Sequence, residues 1–153
     1  MNREFLDAIE ANPIIAAVKD EQGLANCLRR EELTVIFILY GDIRSIGNIV
    51  ERIHQAGKIA MVHIDLIQGL SSREVAVDFI HTYTSADGII STRAPLIQRA
   101  RELSMYTVMR FFLLDSMAIE NISRHLGQET SDLIEVLPGI MPKIIRRVRA
   151  VAG

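Results

Sequence analysis

The sequence predicts an α/β fold of the TIM-type (β/α) barrel class, with six of the eight β/α units present. Three observations carry that prediction. Apolar β-type runs alternate with helix-patterned segments along the whole chain, the pattern of a parallel sheet covered by helices. The repeat is about 25 residues, the spacing of an eight-fold β/α barrel. Polar and ionisable residues gather where strands end and helices begin, the end at which such scaffolds hold ligands. Eight units need about 200 residues by the same arithmetic, so the 153 residues read as a single barrel-type domain, 1–153, with units seven and eight absent.

Residues 3–11 read as a short helix with Phe5, Leu6 and Ile9 on one side, broken by Asn12-Pro13. Residues 14–18 form the first strand, ending at Lys19-Asp20, and residues 21–30 a helix with Leu24, Cys27 and Leu28 at helical spacing. The second strand, 35–40, closes at Gly41-Asp42. The helix after it sets Ile43, Ile46, Ile49, Val50 and Ile53 on one face and stops at Gly57. The third run, 58–67, is written as a strand, so Met61, His63 and Asp65 share one face and Val62, Ile64 and Leu66 the other. Ser71-Ser72-Arg73-Glu74 spells a capping box, opening a helix that buries Val75, Val77, Phe79 and Ile80. Gly88–Ser91 is a short fourth strand, and Pro95 suits the first turn of the next helix. Residues 105–114 form the fifth strand. Asp115 caps a helix running to His125 and stopped by Gly127. Leu133–Leu137 is the sixth strand, closed by Pro138-Gly139, and Pro142 opens the last helix.

Composition narrows the function classes. Apolar residues make up 49% and charged residues 24%, a globular and not a disordered balance. The net charge is −2 and no half of the chain is strongly basic, so an extended nucleic-acid surface is not written, only local patches. The single cysteine, Cys27, permits no disulfide framework, reads as a small buried hydrophobe, and suits a reduced cytoplasmic setting. The charged N-terminus lacks a signal-like apolar core, and no apolar run approaches a membrane span. No P-loop, dinucleotide fingerprint, zinc spacing or nucleophile elbow occurs. His63 with Asp65 supplies two metal ligands at most.

The candidate site follows from the strand ends. Lys19 and Asp20 end the first strand, Asp42 follows the second, His63 and Asp65 end the third, and Ser91, Thr92 and Arg93 the fourth. Arg110 lies in the fifth strand in phase with Val108 and Phe112, and Glu135 in the sixth in phase with Leu133 and Leu137. A charge flanked by apolar neighbours cannot stay unpaired in a dry core. Arg110 and Glu135 therefore meet partners or water, and adjacent strands bring them together. Each has a plainer reading: Asp20, Asp42 and Asp115 as helix caps, His63 as a satisfied core histidine, Arg110 and Glu135 as a structural ion pair. Basic residues cluster on the fourth helix (Arg93, Arg99, Arg101) and on the last (Lys143, Arg146, Arg147, Arg149), where Ile144, Ile145 and Val148 alternate with them. A solvated outer face is the default for the last helix; a phosphate-backbone surface is the sharper reading.

Residues 13–20, Tyr40-Gly41-Asp42, residues 62–70 (with His63-Ile64-Asp65-Leu66), residues 86–93, residues 110–116 and residues 134–143 (with Leu137-Pro138-Gly139-Ile140-Met141-Pro142-Lys143) resemble, in order, successive motifs of the glycerol-3-phosphate-responsive antiterminator family. The resemblance implies a β/α-barrel regulator that binds glycerol 3-phosphate as effector, needs no cofactor, and binds the leader of a glycerol-uptake messenger RNA to prevent premature termination. With that ligand, the strand-end residues Lys19, Asp20, Asp42, His63, Asp65, Arg110 and Glu135 are the ligand-binding candidates, and the basic face of the last helix makes Lys143, Arg146 and Arg147 the RNA-binding candidates. In that family the chain continues into a seventh strand with a Gly-Gly pair and an eighth strand. This sequence reads as a C-terminally truncated form, and its two open edge strands predict cover from another copy, hence a homo-oligomer. The rival readings are an enzyme of the same architecture acting on a phosphorylated sugar or polyol (isomerase, lyase or phosphodiesterase), with Glu135, Asp65 or His63 as acid or base and Lys19 as electrophile, and an oligomeric scaffold.

Overall fold

A computed structural model describes residues 4–114, 116–126 and 131–152. Helix α1 (Glu4–Ala11) precedes six β/α units: β1 (Ala16–Val18), α2 (Glu21–Leu28), β2 (Val35–Ile38), α3 (Ile46–Gln55), β3 (Ile59–His63), α4 (Val75–Tyr83), β4 (Gly88–Ser91), α5 (Ala94–Glu102), β5 (Tyr106–Phe112), α6 (Ser116–Leu126), β6 (Leu133–Leu137) and α7 (Pro142–Ala152). The strands form one parallel sheet in sequential order, curled into a half-barrel. The predicted fold class and the six-unit reading therefore hold. No described helix is long and apolar enough to cross a membrane. Asp115 and Gly127, read as helix signals, lie outside the described residues.

Side-chain alternation sorts the strands into two faces. The convex face packs under the helices: Val18, Ile36, Ile38, Ala60, Val62 and Ile89 meet Ile46, Ile49, Val50, Ile53, Val77, Ile80 and Ile97. Met109 belongs to the same cluster, with Phe111 and Ile134 packed against it, so the two apolar faces predicted in β5 and β6 do lie under helices. The concave face carries Val35, Phe37, Met61, Ile90 and Val108. Its N-terminal end is plugged by α1, whose fully buried Phe5 stacks on Tyr106 with centroids 4.9 Å apart. Burying a side chain of that size is worth about 1.5–3 kcal/mol, which explains why a short helix stays docked. Gly88 opens β4 beneath this plug. A Cβ there would stand 2.3 Å from the Tyr106 carbonyl oxygen and 2.6 Å from Met61 Cε, so no larger residue fits.

Four local expectations fail, each for a physical reason. The run 58–67 is not one strand. β3 stops at His63, and Ile64–Leu66 turn as a 3-10 helix, which removes Asp65 from the face it was expected to share with His63. The capping box at Ser71–Glu74 does not form; Ser71 Oγ accepts from the Arg73 amide, and α4 starts at Val75 without a side-chain cap. Val75, expected inside, is 62% exposed at the first turn. α3 begins at Ile46 and not at Ile43, because Asp42 spends its carboxylate on a turn before the helix.

Candidate ligand-binding site

The C-terminal ends of β3 to β6 assemble a polar cluster on the concave side. Register pairs Arg110 with Glu135 directly across β5 and β6. Arg110 Nε donates to Glu135 Oε2 at 2.5 Å and Nη2 donates to Oε1 at 3.2 Å, a forked pair whose guanidinium side chain is only 10% exposed. This meets the expectation that neither charge could stand alone in the strand. Such a pair holds its geometry well, yet breaking it leaves an uncompensated buried charge.

His63 ends β3 in phase with Met61 on the same concave face, 2% exposed. Neither ring nitrogen has a hydrogen-bond partner among the described residues, unlike a core histidine held by its neighbours. Burial pushes its pKa below the ordinary imidazole value, and the Arg110 guanidinium pushes the same way. The carboxylates of Asp65 and Glu135 pull weakly against them. His63 is therefore a neutral imidazole with one donor and one acceptor to offer.

Asp65 reaches across from the 3-10 turn to the loop after β4. It accepts from Ser91 Oγ at 2.9 Å, the Thr92 amide at 2.8 Å and Thr92 Oγ1 at 3.1 Å, with Arg93 Nε 3.7 Å away. Ser91 Oγ in turn accepts from the Arg93 amide at 3.0 Å. Asp65 thus fastens the β4–α5 loop and sets Arg93 at the mouth. Ser91 and Thr92 are common turn residues, so residue type alone carries little signal for them. The signal available is their position, at the end of the strand neighbouring β3, which the Asp65 turn follows.

The remaining candidates stand apart. Asp20 caps α2, accepting from the Gly23 amide at 2.7 Å, as its plainer reading had it. Asp42 accepts from the Arg44 and Ser45 amides and from Arg44 Nη2 at 2.8 Å. The Arg44 side chain, then those backbone donors, hold its pKa down at about 2. Its segment also bridges to Gln68, where Gly41 adopts a φ of +107°. Lys19 is exposed at the end of β1, four strands along the sheet from Arg110. His63, Asp65, Arg110 and Glu135 form one electrostatic group; Lys19, Asp20 and Asp42 do not join it.

On α7, Val148 is buried and Ile144 and Ile145 pack on the small core shared with α6, while Lys143, Arg146, Arg147 and Arg149 face outward. The expected apolar stripe and basic face are both present. The α5 cluster is different: Arg99 is taken by Asp78 at 2.7 Å and Glu102 at 2.8 Å, which leaves it no part in a phosphate surface. Among the described residues no group of three His, Cys, Asp or Glu side chains could hold a metal ion.

Comparison with known proteins matches this arrangement to one family. The family model described as glycerol-3-phosphate responsive antiterminator matches residues 14–153. The chain is 43% identical over 141 residues to the Escherichia coli protein YgcP, itself uncharacterised, covering 92% of this chain and 73% of that one. Two crystal structures share the fold. One is the glycerol uptake operon antiterminator regulatory protein of Listeria monocytogenes, at 30% identity and a TM-score of 0.84, covering 91% of this chain and 75% of that one. The other is a glycerol uptake operon antiterminator-related protein of Thermotoga maritima, at 28% identity and a TM-score of 0.75, covering 90% and 88%. The family is one of regulators and not of enzymes, which sets aside the isomerase, lyase and phosphodiesterase readings. With the parallel six-stranded fold and the motifs at its strand ends, these matches establish that the chain belongs to the glycerol-3-phosphate-responsive antiterminator family.

Proposed function

We propose that this chain binds glycerol 3-phosphate at the C-terminal mouth of its sheet and, in response, binds the leader of a glycerol-uptake messenger RNA to oppose transcription termination. Family membership supports the effector and the kind of response. The observation that carries the reading is the Arg110 cluster. A nearly buried guanidinium is paired with Glu135 and acts on the buried His63, so Arg110 suits a phosphate, His63 suits a hydroxyl, Glu135 holds Arg110 in place, and Asp65 fastens the adjoining loop. The outward face of α7, with Lys143, Arg146 and Arg147, supplies the phosphate-backbone contacts to RNA.

Thermal unfolding with glycerol 3-phosphate, glycerol and inorganic phosphate tests the ligand. Glycerol 3-phosphate alone should raise the melting temperature by about 5–10 °C at a hundredfold excess over Kd; equal responses to all three overturn the reading. Leader-hairpin binding, measured with and without ligand, tests the response. Replacing Lys143, Arg146 and Arg147 by alanine should weaken binding and lower the salt slope by roughly 2–3. Unchanged affinity and slope remove α7 from the interface.

A further inference from the structure

Glu135 occupies the edge of Arg110 that a phosphate would need. Nε and Nη2 of the guanidinium both point at its two carboxylate oxygens, and this forked edge is the geometry in which arginine also grips phosphate. A phosphate and Glu135 therefore compete for the same donors. The alternative anion seat, the N-terminus of α5, is already filled, because the Asp65 carboxylate accepts the Thr92 amide there. Asp65 itself is held by Ser91 and Thr92 and cannot take over Arg110. Glu135 lies on β6 with its side chain about a quarter exposed, so it has water to turn into when released. His63 lies among these same charged groups, with both ring nitrogens closed to solvent and unpaired.

We propose that Glu135 is a latch and not a ligand contact: the phosphate displaces it from Arg110, and the opening gives His63 to a hydroxyl of the same molecule. The ligand then lies with its phosphate on Arg110 and its carbinol end over β3. This rests on the glycerol 3-phosphate reading above and adds to it a direction and a competitor. The observation most specific to it is His63. A neutral imidazole with a donor and an acceptor both orphaned matches a hydroxyl, which can accept from one and donate to the other, and it does not match a phosphate. The latch also explains why a nearly buried arginine can await an anion, since Glu135 compensates its charge until the ligand arrives.

The test is calorimetric titration of the full chain with glycerol 3-phosphate, n-propyl phosphate and inorganic phosphate. The latch predicts that Glu135→Gln binds glycerol 3-phosphate about tenfold more tightly, since the competing charge is gone. A direct hydroxyl contact by Glu135 predicts the opposite sign, and equal or weaker binding overturns the proposal. The unaltered chain should prefer glycerol 3-phosphate to n-propyl phosphate by about tenfold, and His63→Phe should bind the two alike. Nitrogen-15 spectra of the His63 ring in the unaltered protein avoid any question of misfolded variants. Its resonances should move on addition of glycerol 3-phosphate, and unmoved resonances at saturation overturn the proposal. If the unaltered chain binds no glycerol 3-phosphate, the proposed function falls and takes this with it; binding without the Glu135→Gln gain removes the latch alone.

Discussion

At the N-terminal end of the sheet Lys58, Asp87 and Asp132 are all held by multiple hydrogen bonds, whereas at the C-terminal end His63 has none. Lys58, 6% exposed, donates Nζ to the Arg30 carbonyl at 2.6 Å and the Leu33 carbonyl at 2.5 Å. Asp87 accepts from the Ala60 amide at 2.7 Å and pairs with His54 Nε2 at 2.8 Å. Asp132 accepts from the Thr107 amide and hydroxyl, both at 2.8 Å. Asp87 and Asp132 stand just before β4 and β6 and each ties the start of the preceding strand. The exception at that end is a neutral hydroxyl, Thr34 Oγ1. Buried polar groups with all their partners add stability; the same groups left wanting partners cost stability and fit a ligand. One sheet carries both arrangements at its two ends, as parallel β/α scaffolds do.

The largest effect should come from the satisfied end. Lys58→Met keeps the apolar stem but deletes two charge-assisted hydrogen bonds and strands two carbonyls. It should cost about 3 kcal/mol, or roughly 6–12 °C in melting temperature, while glycerol 3-phosphate affinity, measured on the folded variant by calorimetry, stays unchanged. A loss of affinity without a loss of stability would break the division between the two ends.

How much of this was legible in the sequence follows the same division. The alternation of runs and helices set the six-unit fold, because period-2 and period-3.6 patterns are local properties. The Arg110–Glu135 pair was legible because a charge in an apolar strand must be answered, and adjacent parallel strands in phase can answer it. The pairing of Asp65 was not. It depends on β3 ending at His63 and the chain turning at Ile64–Leu66, a boundary that the apolar residues through Ile67 conceal. Lys58 was equally silent. Its partners are main-chain carbonyls at Arg30 and Leu33, and sequence spacing holds no information on which carbonyls a lysine will reach. The capping box at Ser71–Glu74 failed for the converse reason: the letters were right, but the chain did not begin its helix where they stand.

Asp65 lies at the ligand end yet is satisfied like the residues at the other, so it sharpens the comparison. Asp65→Asn keeps one acceptor oxygen and loses the charge that organises Ser91 and Thr92. The expected cost is about 1–2 kcal/mol, seen as a fall of roughly 2–8 °C in melting temperature. Calorimetry should find glycerol 3-phosphate affinity weakened about threefold or less, because Asp65 fastens a loop and does not meet the ligand. Affinity lost a hundredfold with stability intact would make Asp65 a ligand contact and move it into the unsatisfied set.

The smallest effect is a slope and not a step. His63 is kept neutral by burial first and by Arg110 second, against the pull of Asp65 and Glu135. Arg110, Asp65 and Glu135 are the charged groups acting on it, and the upward pull of the two carboxylates and of its own backbone does not outweigh burial and Arg110. In the unfolded chain the same imidazole takes a proton as pH falls through about 6.5. Below that value the unfolded state binds the proton that the folded state refuses, so stability falls as pH falls until the lower folded pKa is reached, and is flat beneath it. His125, also depressed by burial, contributes in the same direction. Asp42, lowered first by the Arg44 side chain, and Glu21, lowered first by the Tyr40 hydroxyl and then by Arg52, act only at more acid pH, below the ordinary carboxylate range. The two windows therefore separate. Melting temperatures from pH 7.5 to 5 should decline for the unaltered chain and decline less steeply for His63→Gln, which keeps polar character without a titrating ring. Parallel slopes would mean that His63 takes up a proton as readily folded as unfolded, and an imidazole able to do that in the folded chain has found a partner, which would end its standing as the unsatisfied group at the ligand end.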